Sequence, residues 1–141
     1  MKSTADKYKE FWFNQIYEYC YIAVDIHGTI FKPTFDKKEN YQYYPLAKLC
    51  LKELSKNPKV KLILWSGCYE DKFNDYIKKF EEDDIKFDYI NENPECVNST
   101  YACFDKKFYF DIGIDDRFGF EANKDWAELL PVIILNNEES I

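Results

Sequence analysis

The sequence predicts an α/β fold: a three-layer sandwich with a central parallel sheet of about five strands and helices on its faces. Three observations carry that prediction. Short continuous apolar runs, the pattern of strands buried on both faces, alternate along the chain with segments of helical periodicity. The 141 residues suit one hydrophobic core. No internal repeat and no low-complexity linker divides them, so residues 1–141 read as a single domain, with 1–19 a helical extension and 20–141 the core.

The elements follow in order. From Asp6 to Glu18 a helix is expected, with Tyr8, Trp12, Ile16 and Tyr19 at helical spacing. "YCYIAVDI" is an apolar run ending in a carboxylate, and predicts the first buried strand. Residues 31–44 are polar, contain a proline and predict a loop or small flap. A helix from Pro45 to Leu54 would carry Leu46, Cys50 and Leu54 on one face, and Val60–Trp65 is a second strand. Phe73, Tyr76, Ile77 and Phe80 fall at i, i+3, i+4 and i+7, the clearest helix in the chain. "IKFDYI" alternates as a third strand and is stopped by "NENP"; Tyr109–Ile114 forms the core of a fourth. A short helix around Asn123–Leu130 and a fifth strand, Val132–Leu135, complete the expectation.

Composition bounds the function. No apolar stretch approaches the roughly 20 residues that span a bilayer. "MKSTADKYKE" is too charged for the apolar region of a signal peptide, so a cytoplasmic protein without a membrane partner is expected. The net charge is −7 and Arg117 is the lone arginine, with no basic stripe to serve as a broad nucleic-acid surface. The five cysteines (Cys20, Cys50, Cys68, Cys96, Cys103) are irregularly spaced without a C-x-x-C pair, which implies neither zinc ribbon nor disulfide scaffold. Asn98–Thr100 matches a glycosylation acceptor by pattern only.

In parallel sheets ligands bind beyond the carboxyl ends of the strands. Three polar groups occupy those predicted ends: Asp25 with His27-Gly28-Thr29, Ser66-Gly67, and Asp115-Asp116. Taken singly each has a plainer explanation. An Asp-Asp after a strand also caps a helix, and a serine also makes a turn. Their order is what adds information.

That order is a strand ending in "DIHGT" (25–29), a strand ending in "LILWSG" (62–67), Lys107 in "DKKFYFD", and "IDDR" (114–117). It resembles the haloacid dehalogenase-like (HAD) superfamily of phosphohydrolases, over most of the chain from about residue 20. The resemblance implies a Rossmann-like sheet and a Mg²⁺-dependent phosphatase, here of a small capless type. Asp25 would attack phosphorus and form an aspartyl phosphate that water then hydrolyses. Mg²⁺ would be held by Asp25, the backbone carbonyl of His27 and a carboxylate of Asp115 or Asp116, with Asp116 favoured as the direct ligand. Ser66, with Gly67 beside it, and Lys107 would bind the phosphoryl oxygens, with Lys106 as the rival lysine. The expected substrate is a small phosphomonoester such as a nucleotide. Without a cap the site would lie open to a large substrate or to a neighbouring subunit of a homo-oligomer.

The sequence departs from that family at one point. His27, the chain's single histidine, stands where the pattern has a second aspartate, the residue that protonates the leaving group. A histidine can also carry a proton, with an unperturbed pKa near 6.5. Three readings stay open: a substituted acid/base, a gate or substrate contact, or the mark of a catalytically weakened phosphate- or partner-binding protein. A receiver-like signalling domain fits less well, because its phosphoacceptor would follow a middle strand.

Overall fold

The structure is a computed structural model, which describes residues 2–14, 17–34, 39–96 and 107–139. Four parallel strands form one sheet: β1 (Cys20–Asp25), β2 (Val60–Trp65), β3 (Tyr89–Ile90) and β4 (Ile112–Ile114), in the order β3-β2-β1-β4. Among the described residues four helices accompany them: α1 (Thr4–Asn14), α2 (Ala47–Lys56), α3 (Glu70–Glu82) and α4 (Asp125–Glu139). The α/β class and the parallel sheet are those the sequence predicts. No described helix is long and apolar enough to cross a membrane.

Strand alternation sorts the core into two faces. Cys20, Ile22 and Val24 of β1 and Val60, Leu62 and Leu64 of β2 point to one face, where they meet buried side chains of all four helices. Tyr21, Ala23 and Ile63 point to the other. Aromatic rings cover that second face, with Trp65 5.0 Å from Phe108 and 5.8 Å from Phe110. Gly113 lies opposite Ala23 in the β1–β4 register, and a Cβ on it would stand 3.1 Å from the Phe110 ring, so two small residues make room for that ring.

Two strands are shorter than the sequence suggests, and aspartates explain both. At β3 the Leu62 N–H bonds the Asp88 carboxylate at 2.9 Å, while Asp88 N–H donates to the Leu62 carbonyl. At β4 the Tyr21 N–H bonds the Asp111 carboxylate at 2.8 Å, and Asp111 N–H donates to the Tyr21 carbonyl. In each place a carboxylate replaces a strand carbonyl as acceptor, and the regular ladder begins only afterwards.

The helix boundaries also move. α1 stops at Asn14, so Tyr19 lies beyond it and packs with the second-face rings; Ile16 lies outside the described residues. Leu46 adopts a left-handed φ of 65° ahead of α2 and is exposed, leaving Ala47, Cys50, Leu51 and Leu54 as the buried face. The described residues of 31–44 pair as the two legs of a flap: Lys32 N–H donates to the Gln42 carbonyl at 2.8 Å and Tyr44 N–H to the Ile30 carbonyl at 2.9 Å.

The predicted fifth strand is a correction. Val132–Leu135 belongs to α4, which runs through Pro131, so the sheet has four strands among the described residues. "VIIL" after a proline reads as a strand start because it is apolar, β-branched and preceded by a helix breaker. Tertiary contacts decide otherwise. Trp126, Leu129 and Ile133 fall on one buried helical face. Beyond the proline, Asn136 accepts hydrogen bonds from Tyr8 (3.1 Å) and Asn57 (3.0 Å), and Asn137 donates to the Glu53 carbonyl (2.9 Å).

Candidate functional site

β1 and β4 are neighbours with Val24 opposite Ile114, so the residues that follow emerge side by side. Asp25 closes β1, and Asp115 and Asp116 follow β4. Each offers a carboxylate oxygen, and these oxygens all lie within 4.8 Å of one another. Asp115 is buried, Asp25 half-buried and Asp116 exposed. Asp115 also fulfils the plainer role of a cap: its carboxylate accepts from Arg117 N–H at 2.9 Å and holds a 3-10 turn at Asp116–Phe118.

The cluster carries charge that its surroundings do not balance. Trp65, Phe110 and Phe118 wall a small crevice beside Asp25. Burial, then the nearby Asp115, push the Asp25 carboxyl up to about 6, against the Thr29 hydrogen bond and with a further push from Asp116. Asp115 is raised too, by burial first and by Asp116, although the Arg117 N–H opposes the shift. No ion pair reaches any of the three aspartates among the described residues. An all-oxygen donor set that repels itself suits a hard divalent cation such as Mg²⁺. The residues therefore fit the expected metal.

Gly28 permits this approach. Its φ is +81°, and a Cβ there would meet Asp116 Oδ2 at 2.7 Å. Any other residue would be strained and would push Asp116 aside.

His27 stands next to this cluster, but its ring is held elsewhere. Nε2 lies 2.9 Å from Glu39 Oε2, on the returning leg of the flap, and 2.7 Å from the Tyr76 hydroxyl on α3. The side chain of His27 is not part of the carboxylate cluster; only its backbone carbonyl was expected to ligate.

Ser66 follows β2, next to β1 in the sheet. Asn91 holds it reciprocally: Ser66 N–H donates to Asn91 Oδ1 at 3.0 Å, and Asn91 Nδ2 to the Ser66 carbonyl at 2.8 Å. Ser66 Oγ accepts from Cys68 N–H at 3.3 Å, which leaves its hydrogen to donate. A Cβ on Gly67 would meet nothing within 4 Å, so the space beside it is open. Lys107 is exposed and makes no hydrogen bond or ion pair with the cluster among the described residues. Its rival Lys106 lies outside the described residues, as do Cys103 and the Asn98–Thr100 pattern.

A solved structure of similar fold is that of a conserved protein from Bacteroides thetaiotaomicron. The two chains share 27% identity, the TM-score is 0.62, and the match covers 84% of this chain and 92% of that one. No family model matches the chain, and no curated protein matches it.

Sequence reasoning left several site residues unassigned. Thr29 is fully buried; its hydroxyl accepts from Asp116 N–H at 3.0 Å and lies 3.2 Å from Asp25 Oδ2 and 3.4 Å from Asp116 Oδ1. It thus joins the two strand ends. Trp126 Nε1 in turn donates to the Thr29 carbonyl at 2.9 Å, tying α4 to the motif loop. The Gly-Thr pair was a signal for Thr29. Asn91, Glu39, Tyr76 and Trp126 gave none, since each reaches the site only through the fold.

Proposed function

We propose that the chain is a phosphohydrolase of small phosphomonoesters, with Asp25 as nucleophile. The observation that supports this most is the juxtaposition of the Asp25, Asp115 and Asp116 carboxylates at the ends of neighbouring parallel strands. Asp25, Asp115 or Asp116, and the His27 carbonyl would hold Mg²⁺, which when bound offsets the negative charge between carboxylate and phosphate. An Asp25 oxygen then bonds to phosphorus as the ester oxygen leaves with its electron pair. Water completes the cycle: its oxygen bonds to phosphorus, the Asp25 oxygen departs as carboxylate, and one water proton balances the proton taken up by the departed ester oxygen. Ser66 and the backbone beside Gly67 would donate to the non-bridging oxygens. The test is phosphate release by the purified protein across phosphorylated metabolites with Mg²⁺. Turnover that Asp25→Asn abolishes while the far-UV spectrum stays unchanged supports the proposal. Turnover that survives the change removes Asp25 as nucleophile.

One observation favours a second reading, a phosphate- or partner-binding protein on the same pocket: Lys107 is exposed and unpaired with the cluster among the described residues. In the catalytic reading Lys107→Ala lowers kcat by roughly 10²–10³-fold, the scale of one lost charge-stabilising donor. A loss confined to Lys106→Ala transfers the role to that neighbour. Absence of turnover over the whole panel, with phosphate still bound, favours the second reading.

A further inference from the structure

Glu39, Tyr76 and His27 close a triangle beside the aspartates. His27 Nε2 is 2.9 Å from Glu39 Oε2, Tyr76 Oη is 2.8 Å from the same oxygen, and Tyr76 Oη is 2.7 Å from Nε2. The second Glu39 oxygen accepts from Tyr41 N–H at 3.1 Å, so the carboxylate is fixed at both ends. Burial alone would raise its pKa, but the bonds from His27, Tyr76 and Tyr41 outweigh burial and hold it below the ordinary value. Both Glu39 oxygens accept, Oε1 from Tyr41 N–H and Oε2 from the Tyr76 hydroxyl, so Glu39 is the acceptor of the triangle and supplies no hydrogen to it.

Counting hydrogens fixes the arrangement. Two contacts reach Glu39 Oε2, and each needs a donor. The Tyr76 hydroxyl has one hydrogen, which serves the first. The second must come from Nε2–H of His27. A bare Nε2 would set its lone pair 2.9 Å from a carboxylate oxygen, which is repulsive. The 2.7 Å contact is then the tyrosine oxygen taking a share of Nε2–H.

We infer that Glu39 and Tyr76 are positioning residues that lock His27 with its hydrogen on Nε2 and commit Nδ1 to any proton or ligand the ring handles. The logic is that of a carboxylate that selects a histidine tautomer and orients the ring. The Tyr76 ring adds an edge contact to the imidazole, with centroids 5.5 Å apart, and itself stacks on Phe31. Flap and α3 thus build one support under the motif loop. On the phosphohydrolase reading, Nδ1 is then the ring atom left to hydrogen-bond water or the leaving group.

The tautomer is measurable without any reaction. With one histidine, a ¹⁵N–¹H correlation of the imidazole at a pH where the ring is neutral reports one residue. The expected spectrum shows Nε2 protonated and Nδ1 bare, with Glu39→Ala and Tyr76→Phe each moving the population toward the other tautomer. A wild-type spectrum with Nδ1 protonated overturns the inference, and that measurement needs no variant to fold. A tautomer ratio unchanged in folded Glu39→Ala overturns it as well. Turnover gives a separate arm that rests on the phosphohydrolase reading: Glu39→Gln lowers kcat on the order of 10-fold with little change in KM. An equal kcat in Glu39→Gln removes the positioning role in catalysis. A protein without phosphatase activity but with the expected spectrum refutes the catalytic reading and leaves the lock in place.

Discussion

At the scale of single residues, the aspartate cluster is a balance between burial and charge. Asp25 is raised to about 6 in the folded chain, from an ordinary value of 3.8. A raised carboxyl favours its protonated form in the folded state. The stability it contributes is complete below its ordinary value and is lost as pH rises through about 6. Asp115, shifted in the same direction, adds to the loss. Metal-free protein should therefore lose thermal stability between about pH 4 and pH 6 from this cluster. Millimolar Mg²⁺ should restore it, with a larger rise in Tm at pH 7.5 than at pH 5. Thermal melts with and without a chelator check this; a Mg²⁺ shift of equal size at both pH values, or none, counts against a metal centre. Asp25, Ser66, Asp115 and Asp116 were legible in the sequence because each ends an apolar run, and a parallel sheet gathers such ends at one edge. Glu39 and Tyr76 were not. Glu39 sits in a polar flap and Tyr76 reads simply as one apolar position of an amphipathic helix.

At the scale of elements, Asp83 is a second carboxylate, beside Glu39, that holds the flap to α3. Asp83, the C-cap of α3, accepts from the Tyr43 hydroxyl at 2.7 Å and pairs with Lys79 at 3.0 Å and Lys48 at 3.5 Å. Burial pushes the Asp83 carboxyl up, but the Tyr43 bond and the two lysines outweigh it and hold it below the usual value. The sign is thus opposite to that of Asp25. Its stabilisation is present above the ordinary carboxylate range and is lost as pH falls through the lowered value. Asp83→Asn should cost about 1–2 kcal/mol at neutral pH, the scale of a hydrogen bond to a charged group. The difference from wild type should shrink as pH falls from the ordinary carboxylate range through the lowered value, where Asp83 becomes neutral like the amide. Urea melts at pH 7 and pH 3 test it, and a constant difference removes the charge as the cause. α4 shows where sequence patterning fails at this scale. The periodicity of Trp126, Leu129 and Ile133 was present in the chain, but Pro131 and the "VIIL" run masked it. What settles the helix is Asn136 and Asn137 meeting Tyr8, Asn57 and Glu53, partners roughly 80 to 130 residues away in sequence.

For the whole molecule, the sheet order β3-β2-β1-β4 puts β1 between β2 and β4. Its loop, the Ser66-Gly67 loop and the Asp115-Asp116 turn therefore share one edge. Two large rings stand exposed on that edge, immediately after the motif residues. Tyr69, three residues beyond Ser66, is 85% exposed, and Phe118, two beyond Asp116, is 65% exposed. A planar ring attached to the phosphate would stack on either. A nucleoside monophosphate carries such a ring, whereas a polyol phosphate does not. On the phosphohydrolase reading, Tyr69→Ala and Phe118→Ala should raise KM for the nucleotide, by roughly 5- to 150-fold for each stacking contact of about 1–3 kcal/mol. KM for the polyol phosphate should stay near its wild-type value, because it carries no planar ring to stack. Parallel KM measurements on the two substrates decide the matter. Equal rises on both place the rings in the fold of the site, and no rise on either removes them from substrate selection.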